Sequence, residues 1–278
     1  MTTRTWRVPG ERGDLGLNEL DDVRLRYRDQ VMEIRGLADV FANATLPELN
    51  KIEPFLKDKQ IMAAIVGAAK NPHDFAERRK GDTLSLLAEL PKILELTKLP
   101  DEVARATQEM AKIAQRTRFM EEMVVAHMIA FQEAFVADYL RALFRVKPQI
   151  LKTKKELDLT FEKACSFESL EEFREYLANE DIDPLFRGGI DEVADYFRKR
   201  LKLNLEESSG WEKVREASCR RNIIVHNKGE VNDVYRANTH YNGPAGHPPW
   251  DASYLDKVTD ATVSFIDFVH EKLSKQMK

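Results

Sequence analysis

Asp101–Lys147, DEVARATQEMAKIAQRTRFMEEMVVAHMIAFQEAFVADYLRALFRVK, decides the fold class of this chain. Neither Pro nor Gly interrupts it, and Val103, Met110, Ile113, Met120, Val124, Phe131, Phe135 and Leu143 recur at helical spacing. Met110, Met120, Met123 and Met128 read as packing on that helix rather than as a cofactor box. One straight helix of this length would reach roughly 70 Å, so a break is expected somewhere along it.

Working outward, the same period holds on both sides. Toward the N-terminus, Leu20, Tyr27, Ile34 and Phe41 repeat every seventh residue, with Val23 and Leu37 on the same stripe, which predicts a helix over Leu17–Asn43. Thr45-Leu46-Pro47 predicts a fresh helix start. Ile61–Ala69 follows as a helix stopped by Asn71-Pro72, then a charged loop at Glu77–Asp82, then a helix at Leu84–Leu96 interrupted by Pro91. Met1–Gly16, with Pro9 and three glycines among charges, reads as a flexible arm. Toward the C-terminus, Lys152–Asp158 is a charged connector, and helices are expected near Glu171–Asn179, Ile190–Arg200 and Ser209–Val225. Asn227–Pro249 is rich in Gly, Asn, Pro and His and long for a plain connection, which marks it as a functional loop. Tyr254–Lys275 closes the chain as a helix with Val258, Ala261, Phe265, Phe268 and Val269 inward. No strand pattern persists. The expectation is an all-α protein with an arm at 1–16, an N-terminal helical region at 17–99 and a helical domain at 100–278.

Composition narrows the function classes. Lys and Arg number 43 against 47 Asp and Glu in 278 residues, a net charge of −4, so any nucleic acid must be met by a local basic patch. The two cysteines, Cys165 and Cys219, have no metal-ligand spacing, which argues against a disulfide framework or a zinc site and for a reducing compartment. The N-terminal residues lack the apolar stretch of a signal peptide, and no run of apolar residues is long enough to span a bilayer. A cytoplasmic protein without a membrane partner is expected.

The chemistry-bearing stretch is Arg220-Arg221-Asn222-Ile223-Ile224-Val225-His226-Asn227. Trp211, Val214, Ser218 and Val225 form one stripe of the helix that carries it, and Asn227 and Gly229 tolerate the left-handed conformation that ends a helix. Between Trp211 and Lys228 there are five Lys/Arg against two Glu, a basic patch on an acidic chain sized for one strand of RNA. His226 in the last turn meets the negative end of the helix dipole, which favours its protonated form. An arginine that keeps its charge beside a histidine that titrates near neutrality suits acid/base work on a phosphodiester. The plain reading is a helix terminus whose basic residues answer the dipole.

Arg221-Asn222-Ile223-Ile224-Val225-His226 resembles the Arg-x4-6-His signature of HEPN (higher eukaryotes and prokaryotes nucleotide-binding) ribonucleases, in which a polar residue commonly follows the Arg. Asn227-Lys228-Gly229-Glu230-Val231-Asn232 with Tyr235 resembles an extension seen in some branches, and Val124–Phe144 resembles the family's first helix with Glu133 embedded in it. The resemblance covers Thr117 to Lys275. It implies a helical bundle that dimerises so that two motifs form one metal-independent ribonuclease site without a cofactor. His226 would act as general acid or base, Arg221 would stabilise charge on the phosphorane-like transition state, and Asn222 would position phosphate or imidazole. The product would be a 2′,3′-cyclic phosphate. Arg220, Asn227, Lys228 and Tyr235 would contact RNA, and Glu133 would either orient Arg221 or make a plain ion pair. Ile223, Ile224 and the face bearing Phe131 or Phe135 would supply the dimer surface. The resemblance further implies a toxin or antiphage effector, governed by an antitoxin or regulatory protein. The alternative is a non-catalytic helical interaction module. His240 and His247 are more simply exposed loop histidines than residues that stack on or pair with RNA bases, and His127 is more simply a core or interface histidine than a ligand. No Walker motif, paired-carboxylate metal site or Ser/His/Asp signature is present.

Overall fold

The computed structural model describes residues 11–71, 73, 83–151, 160–243, 245–251 and 253–276. Its helices, numbered here in chain order, are α1 (Glu11–Lys57), α2 (Lys59–Gly67), α3 (Thr83–Ile93), α4 (Asp101–Val146), α5 (Phe161–Cys165), α6 (Leu170–Ile182), α7 (Ile190–Tyr196), α8 (Trp211–Asn227), α9 (Asp233–Thr239) and α10 (Tyr254–Lys275). Among the described residues there is no strand, only an isolated bridge between Ala69 and Leu94. The all-α expectation holds.

Several boundaries differ from those read locally. The break expected in Asp101–Lys147 is absent: α4 runs for 46 residues, about 69 Å at 1.5 Å per residue. α1 already includes residues 11–16, expected in the arm, and it passes through Pro47, where a restart was expected. An internal proline removes one helical hydrogen bond and bends a helix without having to end it. The rest of the arm, the 77–82 loop and the 152–158 connector lie outside the described residues.

The chain divides into two units in an order that crosses the expected 17–99 and 100–278 regions: 1–32 with 128–218 and 258–278, and 33–127 with 219–257. In the first, Leu20, Val23, Tyr27 and Val31 of α1 are buried together with Phe135, Tyr139 and Leu143 of α4 and Phe265, Ile266 and Val269 of α10. Polar clasps cross this core. Tyr27 donates to Asp138 at 2.8 Å, Arg28 holds both oxygens of Asp267 at 2.9 and 3.1 Å, and Tyr139 meets His270 Nδ1 at 3.2 Å. Burial and the Asp138 carboxylate push the Tyr27 hydroxyl up to about 12. A backbone approach sets the start of α8: a Cβ on Gly210 would stand 2.3 Å from the Ala261 carbonyl oxygen, so only glycine fits.

In the second unit, α2 is started by Asp58, whose carboxylate accepts from the Gln60 and Ile61 N–H groups at 2.7 and 3.1 Å. Ile65 and Ala68 then pack with Leu90, Leu94, Leu99 and Val103. Cys219, Ile223 and Tyr235 form a separate small core with Val231 and Tyr241 at the end of α8. The stripe of α1 continues through Ile34 and Ala38, whereas Leu37, expected inside, is exposed. Met123 of α4, expected in the core, is exposed as well. α4 passes the length and composition test for a membrane span, but over half of its most apolar stretch, 56 %, is already buried in protein.

Candidate functional site

The buried face of α8 turns as the helix proceeds. Trp211, Val214 and Ser218 are inside over its first two turns, and Cys219, Arg220 and Ile223 over the next. Val225, expected on the buried stripe, is 56 % exposed. The solvent face of the last turns therefore carries Asn222, Val225 and His226, with Arg221 half-buried beside them. Arg221 Nη1 donates to the Asn222 side-chain oxygen at 3.0 Å, so the polar residue following the arginine steadies its guanidinium. Arg221 and His226 are five positions apart, which on a continuous helix is about 140° of rotation and about 7.5 Å of rise.

The helix end is built differently from its sequence reading. Asn227 stays helical and half-buried, and its side-chain amide donates to the Glu230 carbonyl at 2.6 Å. The left-handed residues are Lys228 (φ 54°) and Gly229 (φ 76°). They turn the chain so that the Gly229 N–H reaches the Ile223 carbonyl at 2.9 Å. A Cβ on Gly229 would lie 2.8 Å from His247 Nδ1 and 2.9 Å from Glu122 Oε1, so the turn is seated directly on those two side chains.

Glu122 belongs to a buried polar cluster with no local sequence signature. Arg118, one helical turn earlier on α4, donates to Glu122 at 3.0 Å, with side-chain exposures of 8 % and 11 %. Arg118 also lies 4.5 Å from the centre of the Trp250 ring and donates to the Pro248 carbonyl at 3.3 Å. Arg220 faces the same ring at 5.4 Å and that of Tyr254 at 4.2 Å, and donates to the Pro249 carbonyl at 3.0 Å. Trp250 is thus held by two guanidiniums, which pin the segment leading into α10. His247 Nδ1 stands 3.6 Å from Glu122, too long for a hydrogen bond, so a protonated ring would act on the carboxylate through charge. Burial pushes the Glu122 carboxyl up, but His247 and Arg118 outweigh it and hold the group below the usual carboxylate range.

Arg220 and Tyr235, both expected to face RNA, are instead buried, at 5 % and 3 % exposure. Ile223 and Phe135, expected on a dimer surface, are buried within the chain. Asn227–Pro249, expected as a loop, contains α9, started by Asn232 accepting from the Tyr235 N–H at 2.8 Å. Arg236 of α9 then organises the following segment through the Tyr241 and Gly243 carbonyls at 3.2 and 2.8 Å. The basic excess of the motif helix contracts too. Arg215 pairs with Asp191, Lys213 with Glu216, and Arg220 is inside, while Arg221 is half-buried and Lys228 exposed. Glu133 is half-buried on α4 in the first unit. Arg221, Asn222, His226, Asn227 and Lys228 are the predicted site residues that share one helix end, and Arg118, Glu122 and Trp250 are the residues sequence reading missed. Among the described residues no group of three His, Cys, Asp or Glu is placed to hold a metal ion. Comparison with protein-family models, curated proteins and solved structures finds no match to this chain.

Proposed function

We propose that the protein is a metal-independent RNA endonuclease whose site is completed by a second copy of the chain. The observation that carries this reading is the pairing of a steadied guanidinium, Arg221 bonded to Asn222, with an exposed imidazole, His226, on the same anchored helix end. The two groups lie about 140° apart around the helix, which disfavours convergence on one phosphate within a single chain and favours a composite of two. In that composite His226 exchanges protons with the ribose 2′-hydroxyl or the leaving 5′-oxygen, and Arg221 takes the charge that develops on the phosphoryl oxygens. The 2′-oxygen attacks phosphorus, the 5′-oxygen leaves with a proton, and a 2′,3′-cyclic phosphate results. Lys228 and Asn227 neighbour the site and would meet the RNA backbone. A role as a toxin or antiphage effector under an antitoxin or other regulator belongs to this reading.

The test is cleavage of single-stranded RNA by purified protein in EDTA, wild type against His226→Ala, with light scattering on the same samples. Cleavage lost only in the variant, from a dimer, is the expected result. An active monomer would overturn the composite site, and an inactive wild type would overturn the enzyme. A second reading, a non-catalytic interaction module, is favoured by the exposed apolar residues Phe119 and Met123, one turn apart on α4 at 59 % and 48 % exposure.

A further inference from the structure

In the first unit, the C-terminal end of α4 and the facing side of α6 enclose a cleft of about 160 Å³. Phe144, Leu151 and Ala178 form its apolar part, and all three are at most 8 % exposed. An apolar cavity of about 150 Å³ is known to accept a benzene ring, so this volume suits one aromatic ring and little more. Above the apolar part stand charged groups in two different conditions. Arg141 is fully engaged, donating to Asn179 at 2.9 Å and reaching Asp138 and Asp183 at 3.3 and 3.5 Å. Arg145 directs Nε and Nη2 at Glu19. On α6, by contrast, Glu171, Arg174 and Glu175 line the cleft without a hydrogen bond or ion pair to any described residue. With Ala178 they occupy positions i, i+3, i+4 and i+7, one face of the helix, so all four point toward the same space.

We propose that this cleft binds an aromatic zwitterion, a free aromatic amino acid or a molecule with the same three groups. The ring enters against Phe144, Leu151 and Ala178. The carboxylate is received by Arg174, whose planar fork takes it in two parallel hydrogen bonds, and the ammonium sits between Glu171 and Glu175. One guanidinium flanked by two carboxylates matches a zwitterion better than a plain anion, which would meet both glutamates, or a plain cation, which would leave Arg174 unanswered. This inference stands apart from the ribonuclease reading and uses none of its residues.

The experiment is isothermal titration of the full chain with L-phenylalanine, 3-phenylpropanoate, phenethylamine and L-alanine. Saturable binding of L-phenylalanine is expected, with each of the other three at least roughly tenfold weaker. Arg174→Ala weakens L-phenylalanine by a similar factor and brings it level with phenethylamine, and Ala178→Phe, which fills the ring site, abolishes binding. Arg174 is exposed, so its variant keeps the test sound should Ala178→Phe fail to fold by circular dichroism. Absence of saturable L-phenylalanine binding, equal binding of 3-phenylpropanoate or phenethylamine, or indifference to Arg174→Ala would each overturn the proposal.

Discussion

Gly229→Ala tests whether the end of the motif helix is anchored as described. Gly229 adopts φ 76°, a conformation that costs an L-residue about 1–2 kcal/mol. The added methyl would also stand 2.8 Å from His247 Nδ1 and 2.9 Å from Glu122 Oε1. Glu122 cannot swing aside freely, because it is the partner of buried Arg118, so displacement leaves a buried charge poorly satisfied, worth roughly 1–3 kcal/mol more. Alanine's smaller unfolded-state entropy returns about 0.4–1 kcal/mol. The net expectation is a loss of about 1–5 kcal/mol, read as a lower urea midpoint at unchanged m-value. The neighbouring Lys228 has φ 54° with an exposed side chain, so Lys228→Gly relieves left-handed strain and should be neutral or stabilising by up to about 1 kcal/mol. Two adjacent substitutions of opposite sign are a demanding outcome. A Gly229→Ala midpoint within about 0.5 kcal/mol of wild type would refute both the turn and its seat on Glu122.

Arg221→Lys should lose RNA cleavage nearly as completely as His226→Ala, by about 10²–10⁴-fold for the latter, because a point charge cannot make a two-pronged phosphate contact; full activity in Arg221→Lys in the EDTA assay would end that mechanism. Glu122 ionises more readily folded than unfolded, so its contribution is complete above the unfolded carboxyl value of about 4.3 and is lost as pH falls through the lower folded value. Glu122→Gln should therefore be roughly 3 kcal/mol less stable at pH 7 and show a flatter decline below pH about 4; urea midpoints that fall in parallel for both proteins would contradict this. Gly210→Ala should cost about 3 kcal/mol or more, since its Cβ would meet a backbone carbonyl oxygen at 2.3 Å and not a movable side chain; a thermal midpoint unchanged from wild type would show that α8 and α10 separate freely there.

The helical period was legible wherever one face is buried throughout. Val103, Met110, Ile113, Val124, Phe135 and Leu143 are all inside, as their spacing on α4 requires. The continuity of that helix was not legible. Length alone argues for a break, whereas helices in proteins are sustained by the packing of an apolar face. On α4 buried apolar residues hold each end of the helix in its own unit, and over the middle turns the inward positions are taken by the buried ion pair Arg118–Glu122 instead. The Asn227–Pro249 segment misled for the opposite reason. Its Asn, Gly and Pro residues are true turn signals, yet seven of its residues form α9, too short to display a period. Asn232 at the cap was the signal available for it.

Within the site, Arg220 and Arg221 carry the lesson about what local sequence can determine. Adjacent on one helix, they differ by about 100° in direction, and nothing in the motif says which of them turns inward. The decision is made by Trp250 and Tyr254, whose rings lie 4.6 Å apart and receive the Arg220 guanidinium. Arg118, far away in sequence, approaches the same indole at 4.5 Å and takes Glu122 as its counter-ion. The two like charges flanking one ring are answered by a backbone carbonyl for each guanidinium, of Pro248 or Pro249, and by the negative charge of Glu122. The two arginine-to-carbonyl contacts span 29 and 130 residues of chain, so no window-based pattern contains them. Once Arg220 is committed inward, Arg221 is left at the rim beside Asn222. The outward guanidinium of the candidate site is therefore selected by an aromatic pair that the motif itself does not include.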